Sequence, residues 1–303
     1  MIRQIHMSTI SKVGFLGLGN IGGPIAANVS AGGFPLVAYD AAGTAARLPK
    51  DARAATSSAQ VAAETTILFM SLPNAQAVAS VVDEIAGAAD GSLKIVIDLS
   101  TIGVHAAREA SEILSKASIS YLDAPVSGGV DGARKRKIAV MCAGSRGAFD
   151  AAQPYLQSIS ERLFFVGDRA GQGQALKLLN NFLSATALAA TSEAVLFGLR
   201  NGLAMESILE VLNASSGRNT ATLDKFPKHV ATGNFASGFQ NTLMNKDVSL
   251  YLKEADLDDC AGPMGTLVAD IWRRFNDQMP ACDYTRIYQF VNKELESSRK
   301  NLT

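Results

Sequence analysis

The chain has 303 residues, 48% of them hydrophobic and 18% charged, enough for a sizeable core and long enough to divide into two domains. Lys plus Arg and Asp plus Glu balance at 28 each, so no global field draws the chain to nucleic acid or an anionic membrane surface. Three cysteines (Cys142, Cys260, Cys282), odd in number and without CxxC spacing, argue against a disulfide framework or a metal site, and no metal is expected.

In chain order, Met1–Ser11 has no apolar stretch long enough for a signal peptide, and Met7 is an alternative start. A soluble, cytoplasmic protein with no membrane and no nucleic-acid partner is the expectation. Strands are predicted at 13–18, 36–40, 66–72, 94–99, 119–124, 138–143 and 163–166, with helices at 74–86, 104–117 and 148–159 between them. Apolar strands alternating with helices predict parallel βαβ units covered on both faces, with right-handed crossovers.

Gly17-Leu18-Gly19-Asn20-Ile21-Gly22 closes the first strand and opens a helix. GxGxxG alone is a weak signal. Strand before, helix after and an acid ending the second strand make it a dinucleotide fingerprint. Gly17 allows the tight turn, Gly19 lets a pyrophosphate reach the backbone, and Gly22 lets helix and strand pack. Asp40 lies 18 residues beyond Gly22, placed to hold adenosine ribose hydroxyls and to repel the extra phosphate of NADP. Capping the next helix is its plainer alternative. Residues 41–44 supply no arginine and Arg47 lies further along, so NAD is the expected cofactor, with NADP possible. The loops at 71–74 and 98–101, carrying Leu72, Pro73 and Thr101, leave carboxyl strand ends and are expected to face the cofactor.

Ser127-Gly128-Gly129 offers a hydroxyl and unobstructed backbone N–H groups, a nest suited to a carboxylate or an ordinary turn. Past residue 167 the rhythm changes. A helix is predicted over 174–201, then further helices at 205–213, 243–255, 264–275 and 284–296, with no convincing strand. The expected fold class is therefore α/β, a doubly wound Rossmann-type sheet over 1–167, followed by an all-helical domain over 168–303. The apolar run 183–199 is broken by Ser184, Thr186, Thr191, Ser192 and Glu193 and reads as a buried helix. Lys177 and Asn181, four apart, share one face of it among leucines. By itself that pattern also fits a lysine snorkelling to solvent.

Four blocks decide between these readings: GLGNIGGPIAANV (17–29), DAPVSGGVDGA (123–133), GQGQALKLLNN (171–181) and KDVSLYLKEA (246–255). In this order they resemble the β-hydroxyacid dehydrogenase family, which includes 3-hydroxyisobutyrate dehydrogenase, tartronate semialdehyde reductase and L-threonate dehydrogenase. The resemblance covers nearly the whole chain. It implies a Rossmann domain plus a helical domain, Lys177 as catalytic residue with Asn181 as partner, and Ser127, Gly128 and Gly129 on the substrate carboxylate. It also implies Lys246, with Asp247 beside it, on the cofactor side, and a homodimer or homotetramer. One departure stands out: Arg134-Lys135-Arg136-Lys137 occupies a place where the family usually has glycine. Such a run is either a solvated turn or a positive rim that draws in an anionic substrate.

The implied reaction is reversible oxidation of a small anionic β-hydroxyacid, with Lys177 moving the hydroxyl proton. A lysine acting as base near neutral pH needs the lowered pKa that apolar neighbours provide. None of His6, His105 and His229 sits in a matching motif. Arg218, Phe235, Phe239 and Asn245 are expected to shape the substrate pocket. The alternatives are a tartronate semialdehyde- or L-threonate-type enzyme, an NADP-dependent semialdehyde reductase, an imine reductase, in which the lysine is typically replaced, and a non-catalytic dinucleotide-binding protein.

Overall fold

Val13–Leu16 (β1), buried at every position, opens a nine-stranded sheet in the computed structural model, which describes residues 12–300. The reading of Met1–Ser11 and the start at Met7 lie outside the described residues. After β1 come α1 (Gly22–Ala31), β2 (Leu36–Tyr39), β3 (Arg53–Ala54), α2 (Ser58–Glu64), β4 (Ile67–Met70), α3 (Ala75–Gly87) and β5 (Ile95–Asp98). Then follow α4 (Val104–Lys116), β6 (Ser120–Asp123), β7 (Val126–Ser127), α5 (Gly129–Arg134), β8 (Ala139–Ala143), α6 (Arg146–Ile159) and β9 (Arg162–Gly167). The strand order is β3-β2-β1-β4-β5-β6-β8-β7, with β9 paired to β8. The chain leaves β1 toward β2 and returns to β4 on its other side, so the switch point that binds ligands in open α/β sheets lies at the carboxyl ends of β1 and β4.

Successive side chains point to opposite faces, which makes two cores. Phe15 and Phe69 stack at 5.8 Å in one, with Ile25 and Val29 of α1 and Phe149 and Leu156 of α6. Leu16, Leu68 and Met70 enter the other, under α2, α3 and α4. Burial on both faces explains why the strands read as unbroken apolar runs.

One expectation needs correcting: not every strand is parallel. β8 runs antiparallel to β6 and β7. Those two are one strand interrupted at Pro125, since Asp123, Val126 and Ser127 face Ala143, Val140 and Ala139 in a single register and the Pro125 carbonyl accepts from Met141. Only the six-residue α5 lies in the link from Ser127 to β8, too little for a crossover helix, so the chain turns back on itself.

The chain divides into two compact units at Lys177–Leu178, and α7 (Gln172–Arg200) runs through that point. The second unit adds α8 (Met205–Ala214), a π-helix (Ala221–Val230), α9 (Asn241–Leu257), α10 (Pro263–Gln278) and α11 (Ile287–Lys300). Its core gathers Ala185, Leu188 and Val195 of α7 around Trp272, Phe226, Phe275 and Phe290. Pro227 lies inside the π-helix and cannot donate to the carbonyl five residues earlier; that carbonyl, on Thr222, accepts instead from Asn213 Nδ2 at 3.1 Å. Among the described residues α7 is the one helix long and apolar enough to cross a membrane, with a mean hydropathy of 1.5. Ala185, Leu188, Ala189, Val195 and Leu196 of this helix are buried within the protein.

Candidate active site

The glycine loop after β1 fits a dinucleotide. Gly17 has φ +89°, and a Cβ there would stand 2.3 Å from the Ser71 carbonyl oxygen, so only glycine closes this turn. A Cβ at Gly22 would stand 2.0 Å from the Gly17 oxygen. A Cβ at Gly19, by contrast, would meet nothing within 4 Å, which leaves the backbone open to an approaching group. Leu18 is buried, Asn20 exposed and Ile21 half-buried, and no side chain caps α1, whose N-terminal dipole is left to an anion. This cradle fits a pyrophosphate.

Asp40 follows β2 directly. Its Oδ2 accepts from Leu18 N–H at 2.7 Å and its Oδ1 from Ala42 N–H at 2.8 Å. Burial pushes this carboxyl up, but those two donors and the Arg47 guanidinium outweigh it and hold Asp40 below the usual carboxylate range. Arg47 Nη1 lies 3.2 Å from both carboxylate oxygens. The turn through 41–47 thus brings to Asp40 an arginine that is seven positions away in sequence.

Leu72 and Pro73 leave β4, and Ser100 and Thr101 leave β5. Leu72 N–H donates to Ser100 Oγ at 2.8 Å and Ser100 N–H to Asp98 Oδ1 at 2.9 Å, tying the two loops together. Gln174 reaches the same loop: Oε1 accepts from Ile102 at 3.0 Å and Gly103 at 3.3 Å, while Nε2 donates to the Ser100 carbonyl at 2.9 Å. The backbone of this helix start is held by Asp123, whose Oδ1 accepts from Gly171 N–H at 3.0 Å and whose Oδ2 accepts from Gln174 N–H at 2.9 Å. Burial pushes the Asp123 carboxyl up to about 7 against those two donors. The Asp98 carboxyl is raised as well, by burial, although Ser100 and Tyr121 donate to it. Lys177 lies on the first turns of this helix, 7% exposed.

Ser127 ends β7 half-buried, four residues beyond Asp123. Gly128 has φ +140° and a Cβ there would crowd Ile138 Cα at 3.1 Å; Gly129, at φ +66°, has open space. Both φ values favour glycine, Gly128 more strictly because a Cβ there also meets backbone, and Gly129 begins α5. The basic run after it is exposed, with Arg134 paired to Asp131 at 3.4 Å and Arg136 donating to the Gln157 carbonyl.

In the second unit, Asn181 Nδ2 donates to Asp247 Oδ2 at 2.6 Å, and Lys246 Nζ lies 3.3 Å from Asp247 Oδ1. Asn181 also accepts from Asn180, and Phe182 stacks on Tyr251 at 4.2 Å, so α7 and α9 are registered at this level. Asn245 keeps a buried Oδ1 with no hydrogen-bond partner. Phe239 packs edge-on against Tyr284 and Phe235 beneath Arg286, which places both on this unit's own core; Arg218 is exposed. Sequence reasoning passed over Gln174, Asp123 as a cap, and Arg47 as a partner of Asp40. The first two stand inside the conspicuous motif blocks.

Residues 12–167 match the family described as the NAD binding domain of 6-phosphogluconate dehydrogenase, and residues 171–291 match that described as NAD-binding of NADP-dependent 3-hydroxyisobutyrate dehydrogenase. A 2-(hydroxymethyl)glutarate dehydrogenase from Eubacterium barkeri is 34% identical over 86% of this chain and 88% of its own length. The chain belongs to the β-hydroxyacid dehydrogenase family. A 3-hydroxyisobutyrate dehydrogenase from Pseudomonas aeruginosa is also 34% identical, over 87% of this chain and 91% of its own. The solved Mycobacterium tuberculosis 3-hydroxyisobutyrate dehydrogenase with L-serine superimposes with a TM-score of 0.87 at 30% identity, covering 93% of this chain and 99% of that one. This dehydrogenase family member is an oxidoreductase acting on CH–OH groups of small hydroxyacids with NAD(P).

Proposed function

We propose that the chain oxidises a small β-hydroxyacid reversibly to its semialdehyde or keto acid, with NAD preferred and Lys177 as general acid and base. The observation that carries this reading is a buried lysine on a helix whose first turn is held by the carboxyl strand ends of a dinucleotide fold. The nicotinamide supplies the hydride chemistry when bound. Gly17–Gly22 and the start of α1 receive the pyrophosphate, Asp40 the ribose hydroxyls, and Leu72, Pro73 and Thr101 line the same edge. Ser127 Oγ and the Gly128 and Gly129 amides hold the substrate carboxylate. Lys177 takes the hydroxyl proton in oxidation and returns it in reduction. Asn181, fixed by Asp247, orients the polar groups, and Lys246 faces the cofactor. A panel of hydroxyacids (3-hydroxyisobutyrate, serine, threonate, glycerate, 3-hydroxypropionate) with NAD and NADP tests the assignment; no turnover with any of them defeats it.

The pairing of Arg47 with Asp40 favours one second reading, use of NADP, because a guanidinium already at this corner can serve a 2′-phosphate. Asp40→Ala is expected to weaken NAD about tenfold and to narrow the NAD/NADP ratio, since an acceptor and a repelling charge leave together. Titration of NADH and NADPH against wild type and variant checks it. A wild type that prefers NADP overturns the NAD assignment.

Self-association, as a homodimer or homotetramer, belongs to the same proposal, along with a cytoplasmic location. Leu179, Leu183 and Phe197 form an exposed apolar stripe on α7, the last two 60% and 72% exposed. Light scattering at micromolar concentration should return a multiple of 31.8 kDa; the monomer mass would rule association out.

A further inference from the structure

We propose that Gln174 is a positioning residue that joins the cofactor-facing loop 100–103 and the first turn of α7 into one mechanical piece, so that dinucleotide binding is felt at Lys177. This rests on the reading of Lys177 as the proton-transferring group.

A glutamine carboxamide has two acceptor sites on oxygen and two donors on nitrogen. Gln174 uses both acceptor sites on neighbouring amides, Ile102 and Gly103, and one donor on the Ser100 carbonyl, all in a fully buried setting. Its own backbone N–H is held by a different strand end, through Asp123 on β6. Side chain and main chain of one residue are therefore anchored on two adjacent strands. The turn cannot slide along the sheet without breaking one set of bonds or the other. Gly173 tightens the arrangement: a Cβ there would stand 2.3 Å from the Met141 carbonyl oxygen and 2.8 Å from Asp123 Oδ2, so the helix start rests directly on the strands.

The chain of bonds continues toward the switch point. Ser100, whose carbonyl Gln174 holds, accepts from Leu72 through its hydroxyl. A displacement of the loops after β4 and β5 thus reaches Gln174 through backbone groups that have no solvent to fall back on. Lys177 stands three residues further along the same helix, about 4.5 Å in axial rise. It shifts with that turn. An ordinary helix-starting polar residue would bond its own turn; Gln174 bonds a loop more than seventy positions away in sequence, as the separations of 71 to 74 residues show.

Hydrogen–deuterium exchange on the full-length wild-type protein, with and without NADH, provides the first arm of the test. NADH is expected to slow exchange at 171–177 together with 99–104. Slowing confined to 99–104 overturns the coupling. The second arm uses Gln174→Met, which keeps length and removes all three bonds, and Gln174→Glu, which keeps the acceptor but sets a carboxylate against the Ser100 carbonyl. Gln174→Met should raise the NADH Kd about tenfold and lower kcat about tenfold, while KM for the hydroxyacid stays within about twofold. Gln174→Glu, whose carboxylate meets the Ser100 carbonyl in a fully buried setting, should lose at least as much as Gln174→Met. In a Lys177→Ala background, Gln174→Met should still weaken NADH but no longer change the residual rate. A Gln174→Met enzyme with weakened NADH and wild-type kcat, or with neither altered, overturns the proposal. If both variants misfold, the exchange arm on wild type decides. Wild-type turnover by Lys177→Ala alone would strike at the role of Lys177 and leave the exchange and NADH results standing, so the two failures are told apart.

Discussion

Lys177→Ala is expected to lower kcat by about 10²–10⁴, the range for loss of a positioned acid–base group, while NADH binds with near wild-type affinity. The dinucleotide contacts assigned above lie on β1, α1, Asp40, the loops after β4 and β5, and Lys246, all outside the helix turn that carries Lys177. The helix start is anchored by Asp123 and Gln174, so truncating the side chain leaves the turn in place. Steady-state kinetics paired with NADH titration separate the two effects. Near-normal kcat would take Lys177 out of the reaction, and loss of NADH binding would make its role structural.

Gly17→Ala should cost both folding stability and cofactor binding. Its φ of +89° is a conformation that side chains resist, and the new Cβ would stand 2.3 Å from the Ser71 carbonyl oxygen, a backbone atom that cannot rotate away. A loss of about 3 kcal/mol in stability is the expected scale, together with NADH affinity lowered by more than a hundredfold. Gly19→Ala makes the control. Its Cβ would meet no protein atom, so the melting temperature should stay at wild type while NADH weakens, because the methyl occupies space the cofactor needs. Thermal melts and NADH titration on both variants give the answer. A Gly19→Ala protein that binds NADH normally would put the pyrophosphate elsewhere.

Local signals carried the strands, the glycine turn and the Lys177–Asn181 spacing, because each depends on periodicity or on conformational freedom within a few residues. The unread pieces were short or non-local. β3 and β7 have two residues each, below any period, and β7 is cut from β6 by a single proline. The antiparallel turn of β8 depended on how little helix the link contains, a matter of length that hydrophobic pattern does not report. Arg47 and Asp40 meet through a turn whose geometry their spacing conceals. Gln174 and Asp123 stood in view within the quoted blocks, yet their partners lie 48 to 74 positions away. A buried carboxylate and a buried carboxamide among small and apolar residues were the available signals, since such groups demand partners.

The Asp123 cap has a consequence for the order in which the protein is made. All nine strands of the described sheet have been synthesised once residue 167 is added, yet the carboxylate at the end of β6 still lacks its two donors, which arrive with residues 171 and 174. Until then a buried acid stays unmatched and the sheet keeps an unsatisfied charge or an extra proton at its carboxyl edge. The first turn of α7 therefore acts as the closing step of the dinucleotide-binding unit. A chain cut after residue 177 carries both donors of that carboxylate, whereas one cut after residue 167 has every strand of the described sheet and neither of them.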